Sequence, residues 1–164
     1  MEIELHPAVT LRPGSFTALI APREVFISAL NRNLNLQRFS VLYITGNRSA
    51  ILSGLDRRFE DLHVRRGFTA FQLMTILEES HHSLIMVEHD PLLYEDAEEM
   101  AEYVSQAMRH AAERASVLLY SPSPDPRLEE LVRSADRVIH LDEGPRMRAS
   151  QREDRSQTTL EAFT

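Results

Sequence analysis

Ser83-Leu84-Ile85-Met86-Val87-Glu88 is the stretch on which the fold turns. Its four middle residues are apolar without a break. A strand with one wet face alternates polar and apolar side chains; a strand covered on both faces, as in a parallel sheet, does not. The run therefore reads as a central parallel strand. Ser15-Phe16-Thr17-Ala18-Leu19-Ile20-Ala21 has the same character, and the two are expected to be neighbours at the centre of the sheet.

Working outward, β-rich runs alternate with helical patterns. Residues 39–45 read as a strand closed by the turn Gly46-Asn47, and residues 62–64, 116–121 and 137–141 as further strands. Residues 24–35 read as a helix with Val25, Ala29, Leu30 and Leu34 inward, and residues 49–59 as a second helix. Thr69 and Gln72 have the spacing of a capping box, opening a helix to about residue 80 on the stripe Leu73, Ile76 and Leu77. Residues 95–114 carry Ala97, Met100, Ala101, Val104, Ala107, Met108 and Ala111, a period near 3.6. Acidic Glu95, Asp96, Glu98 and Glu99 open that helix and basic Arg109, His110 and Arg114 close it, as the helix dipole favours. Asp125 and Pro126 set the cap and first position of a last helix, to about residue 134. Alternating strands and helices predict an α/β fold: a parallel sheet sandwiched by helices, over residues 1–144. From Gly144 the chain turns polar and Arg-rich, so residues 145–156 are expected to be a flexible linker.

Composition narrows the function classes. The 164 residues suit one domain with a substantial core. There is no Cys, hence no disulfide framework and no thiolate metal site. No apolar run reaches membrane-spanning length and the start is not a signal peptide, so a cytoplasmic location is expected and no membrane contact. Net charge is −7, which argues against a strong DNA footprint of its own. All 18 basic residues are Arg, so lysine chemistry is excluded.

The order of landmarks resembles the RecA-like ATPase core, in particular its RadA/KaiC branch, over about residues 11–144. Residues 13–20 look like the strand leading into the phosphate loop and residues 41–45 like the following strand. Residues 66–73 resemble the segment ahead of the helix before Walker B, residues 83–88 Walker B itself, and residues 135–141 the late strand of that superfamily. The resemblance implies a RecA-like fold and a nucleotide site. That site is degenerate here. The phosphate loop pattern is Gly-x-x-x-x-Gly-Lys-(Ser/Thr) after the first strand; the aligned residues are Ala21-Pro22-Arg23-Glu24-Val25-Phe26-Ile27-Ser28. Ala21 and Phe26 stand for the two glycines, Ile27 for the lysine, and only Ser28 survives. Phe26 lacks glycine's backbone freedom, Ile27 carries no charge and Glu24 repels phosphate. Triphosphate binding is expected to be poor and no cofactor is expected.

Glu88 matches the Walker B acid, and Asp90, Glu95 and Asp96 follow it. Two readings stand: a Mg²⁺ site of nuclease or atypical ATPase type, or loop and helix-start carboxylates placed by the dipole. Seven His are present. His81 and His82, as neighbours near a strand, point to opposite faces and make a poor chelate, and no His-x-x-x-His pair exists, so no metal site is expected. Arg57, Arg58, Arg65 and Arg66 read either as DNA phosphate contacts or as solvated charges beside Glu60 and Asp61. Phe26-Ile27-Ser28-Ala29 fits the Phe-x-x-Ala pattern through which recombinase protomers join, but it falls inside an amphipathic helix.

The chain closes on Gln157-Thr158-Thr159-Leu160-Glu161-Ala162-Phe163-Thr164. Leu160 and Phe163, three apart, fall on one face of a single 3₁₀ turn and make an apolar plug, with the Gln157 amide beside it. The octapeptide resembles a PIP box, the motif by which replication and repair proteins dock on the sliding clamp PCNA. Gln157, Leu160 and Phe163 fill three of its four anchors, and Thr164 stands where a second aromatic belongs. The two resemblances together imply a non-catalytic RecA/RadA-like accessory protein on PCNA. DNA would be touched only indirectly or weakly, and a RadA-like recombinase or another repair protein would be a second partner.

Overall fold

A computed structural model describes residues 2–142. The elements follow as β1 Ile3–His6, β2 Val9–Leu11, β3 Phe16–Ile20, α1 Arg23–Asn31, β4 Val41–Thr45, β5 His63–Arg66, α2 Ala70–Glu79, β6 Leu84–Glu88, α3 Met100–Ala111, β7 Ser116–Ser121, α4 Pro126–Leu131 and β8 Arg137–His140. Six strands form one sheet in the order β5-β4-β6-β7-β3-β8, and every pairing is parallel. β1 and β2 make a separate antiparallel hairpin that the sequence reading did not foresee.

The expected α/β architecture is therefore present. The expected adjacency of its two most apolar strands is not: β7 lies between β3 and β6. All three are buried on both faces, so hydrophobicity marks them as interior without ranking them. Alternate residues serve two cores. Phe16, Ala18, Ile85, Val87, Val117 and Leu119 face α2, α3 and α4. Leu19, Leu84, Met86, Leu118 and Tyr120 face α1 and the hairpin.

The helix boundaries are decided by local chemistry. Thr69 Oγ1 accepts from Gln72 N at 3.1 Å, and the Gln72 side chain reaches back to Phe68 N at 2.8 Å, so the capping pair opens α2 as expected. The α3 helix begins at Met100 rather than residue 95. Asp90 caps a short 3₁₀ turn, Pro91–Tyr94, which buries Tyr94 first. Residues 49–59 are not an α-helix. Ser49 Oγ accepts from Ile51 N and Leu52 N. The Asn31 side chain grips Gly54 O at 3.1 Å and Asp56 N at 2.8 Å. These side-chain bonds hold turns in which only Leu52–Gly54 is 3₁₀. Gly14 takes φ +72°, the one positive φ among the described residues, and its N–H donates to Ala115 O, turning the chain from hairpin into sheet.

Candidate functional site

In a parallel α/β sheet, ligands collect at the carboxyl ends of the strands. There, β3 ends at Ile20 and α1 begins at Arg23. Two residues, Ala21 and Pro22, make the whole connection. A phosphate cradle needs a longer run of backbone N–H groups curled around the anion. Ala21 N is bonded to Ser121 O at 3.1 Å, and Pro22 has no N–H; its carbonyl accepts from Val25 N and Phe26 N. Phe26, Ile27 and Ser28 are helix residues rather than loop residues. Phe26 is fully buried and its ring stacks on Tyr120, centroids 4.1 Å apart at 14°. The Tyr120 hydroxyl in turn donates to Ala21 O at 2.9 Å. Ile27 packs on Gly54, where a Cβ would stand 2.6 Å from its Cδ1. Ser28 O accepts from Arg32 N as an ordinary helix carbonyl. Phe26 and Ala29 are both buried against the hairpin side, so the Phe-x-x-Ala run is core.

Glu88 ends β6 and is buried. Its Oε2 accepts from Thr45 Oγ1 at 2.8 Å and its Oε1 from Ala50 N at 3.0 Å. The carboxylate thus pins residues 46–50 across the end of the sheet. Arg66 Nη1 holds the same loop from β5 through Gly46 O and Asn47 O, and Arg23 Nε donates to Ala50 O. Gly46 lets the loop pass close to Asp90: a Cβ would fall 2.3 Å from Asp90 Oδ2, and that side chain would have to shift. Burial, and after it the Glu88 charge, pushes the Tyr43 and Tyr120 phenols well above their ordinary value. Both Glu88 carboxylate oxygens thus accept hydrogen bonds from the protein itself. Asp90 Oδ1 accepts from Leu92 N, while Glu95 and Asp96 are exposed. Among the described residues no group of three His, Asp or Glu side chains is placed to hold a metal.

A second polar contact at this end was missed from sequence. The His89 side chain is 1% exposed, and its Nε2 lies 2.9 Å from Asp125 Oδ2. Asp125 also caps α4 through Leu128 N at 2.9 Å. His89 Nδ1 is buried without a partner. The neutral ring with its proton on Nε2 satisfies this geometry; a second proton would find no acceptor. Burial accordingly lowers the His89 pKa, against the raising effect of Asp125. At the opposite end of the sheet, His82 meets His63 rather than His81, with Nε2 and Nδ1 2.9 Å apart. Of the four arginines weighed as DNA contacts, Arg58 is paired with Asp56, Arg65 with Glu79, and Arg66 holds the loop. Gln157, Leu160, Phe163 and Thr164 lie outside the described residues.

No family model matches the chain. It is 36% identical over 127 residues to an uncharacterized protein of Archaeoglobus fulgidus, covering 77% of this chain and 64% of that one. The chain thus spans just under two thirds of that relative's length. Among solved structures it is similar to the crystal structure of the RadB recombinase, with a TM-score of 0.56, 15% identity, and coverage of 83% of this chain and 78% of that one. The fold is RecA-like. Among the described residues no helix is long and apolar enough to cross a membrane.

Proposed function

We propose that this chain is a non-catalytic RecA/RadA-like accessory protein of DNA replication, repair or recombination, held on the sliding clamp PCNA by Gln157, Leu160 and Phe163. One observation carries the non-catalytic part: the two-residue link from Ile20 to Arg23, with Phe26 stacked on Tyr120 where glycine and open backbone would be needed. The clamp part is supported by the octapeptide itself. The recombinase named in the RadB structure supports a RadA-like second partner. The net charge of −7 supports DNA contact through partners rather than through this chain.

A pull-down with PCNA, full chain against a chain lacking residues 157–164, tests the tail. The full chain is expected to be captured and the shortened one not; the isolated octapeptide is expected to bind with micromolar affinity, about −8 kcal/mol, because Thr164 forgoes the second aromatic anchor. Equal capture by the Leu160→Ala/Phe163→Ala chain overturns the clamp reading. Calorimetry tests the core: no heat is expected at micromolar ATP, and measurable micromolar affinity overturns the non-catalytic reading. The alternative, a clamp-tethered Mg²⁺-dependent nuclease or atypical ATPase using Glu88, requires that carboxylate to release Thr45 and Ala50. DNA cleavage with Mg²⁺ or Mn²⁺ that disappears in Glu88→Ala would favour it.

A further inference from the structure

His63 opens β5 and His82 lies two residues before β6, both at the amino end of the sheet. β4 runs between those strands, so the two rings reach toward each other over its start. His63 Nδ1 stands 2.9 Å from His82 Nε2, with the ring planes tilted by 50°. Two imidazole nitrogens from separate elements thus face each other at hydrogen-bond distance. The His82 ring is held from behind: its Nδ1 lies 2.9 Å from Ser80 Oγ, which also accepts the His82 backbone N–H at 3.2 Å. Ser80 is buried, and its carbonyl is held by Arg114 Nε. A buried hydroxyl on the rear nitrogen is the kind of outer partner that orients a ligating imidazole.

We propose that His63 and His82 form a two-histidine site for a divalent transition-metal ion of the nickel, copper or zinc type, its remaining positions filled by water. Imidazole selects these ions over Mg²⁺ or Ca²⁺, which prefer oxygen. The separation fits. Two nitrogens about 2.0 Å from an ion stand about 2.8 Å apart in adjacent square-planar or octahedral positions and about 3.3 Å apart in a tetrahedron. Without an ion, one neutral ring donates N–H to the other; to bind an ion, the donor ring carries its proton on its other ring nitrogen instead, so both facing nitrogens offer lone pairs to an ion beside the line joining them and no net proton is released. Among the described residues no third His, Asp or Glu completes the set, so the ion's remaining positions are open to water. β5 is an edge strand paired only with β4, and all four of its residues are exposed. An ion here clips that edge to β6 across β4.

Titration calorimetry of the full chain with NiCl₂, and separately with CuCl₂ and ZnCl₂, at neutral pH tests the site. One equivalent of Ni²⁺ is expected to bind, Cu²⁺ more tightly, with affinity falling at least tenfold in His63→Ala and in His82→Ala but not in His110→Ala, an exposed His on α3. The ion should also slow amide exchange over residues 63–66 in the original chain and not in His63→Ala, whose exposed side chain can be removed without opening the core. The proposal is overturned if no ion binds, or if both single variants bind as the original chain does.

Discussion

Glu88 shows how one buried carboxylate can organise the end of a sheet. Its two oxygens receive the Thr45 hydroxyl and the Ala50 N–H. Hydrogen bonds to a charged acceptor are worth about 1.5–3 kcal/mol each, but removing the carboxylate also removes the cost of burying it, which offsets part of the two bonds. Glu88→Ala is therefore expected to lower stability by about 2–4 kcal/mol in urea unfolding; a change below about 0.5 kcal/mol would mean that the loop is not pinned by this residue. His89 predicts a pH response. Its folded pKa lies below the unfolded value of about 6.5, so the unfolded chain takes up the proton first. The stability from the neutral ring is complete above that value and is lost as pH falls toward the folded pKa. Unfolding free energy measured from pH 7.5 down to 5 should decline in the original chain and decline less in His89→Leu. Asp136 acts lower on the scale. Burial raises its pKa, but the Phe16 N–H and Arg109 outweigh burial and hold it below the ordinary carboxylate value. Its contribution is lost only in more acid solution, below about pH 4.

At the scale of the element, α1 is the segment on which the proposed loss of nucleotide binding rests. It is a helix from Arg23 because Pro22 supplies a fixed φ and a carbonyl that accepts two N–H groups, and because Phe26, Ala29 and Leu30 form a buried stripe. Phe26→Ala should cost about 3–5 kcal/mol, since it removes a fully buried ring from its stack on Tyr120. Ile27→Lys should not create ATP affinity. A charge there lies a turn inside the helix, beside Gly54, and no loop N–H groups surround it. Micromolar ATP binding by Ile27→Lys would show that the missing lysine alone, and not the shortened connection, disables the site. For α2, Thr69→Ala should cost about 1 kcal/mol in thermal or urea unfolding, the usual loss of a side-chain cap.

At the scale of the molecule, the proposed tail and the folded core should be energetically separate. Removal of residues 157–164 is expected to leave the urea midpoint unchanged while abolishing PCNA capture; a shifted midpoint would mean that the tail packs on its own core. Much of the core was legible in the amino-acid order. Largely apolar runs at residues 16–20 and 84–87 declare strands buried on two faces, and Thr69 with Gln72 declares a helix start. These signals are local: periodicity, capping and residue type act over a few positions. The boundary errors came from side chains reaching farther, as when Asn31 holds Gly54 and Asp56 in a turn. Tertiary structure alone decided that β7 separates β3 from β6, that Glu88 meets a partner 43 residues away, and that His89 meets one 36 residues away. The same holds for His63 and His82, brought together over an intervening strand. Parallel strands joined by crossover helices can be ordered in several ways with the same hydrophobic pattern, and strand order chooses which side chains share an end of the sheet.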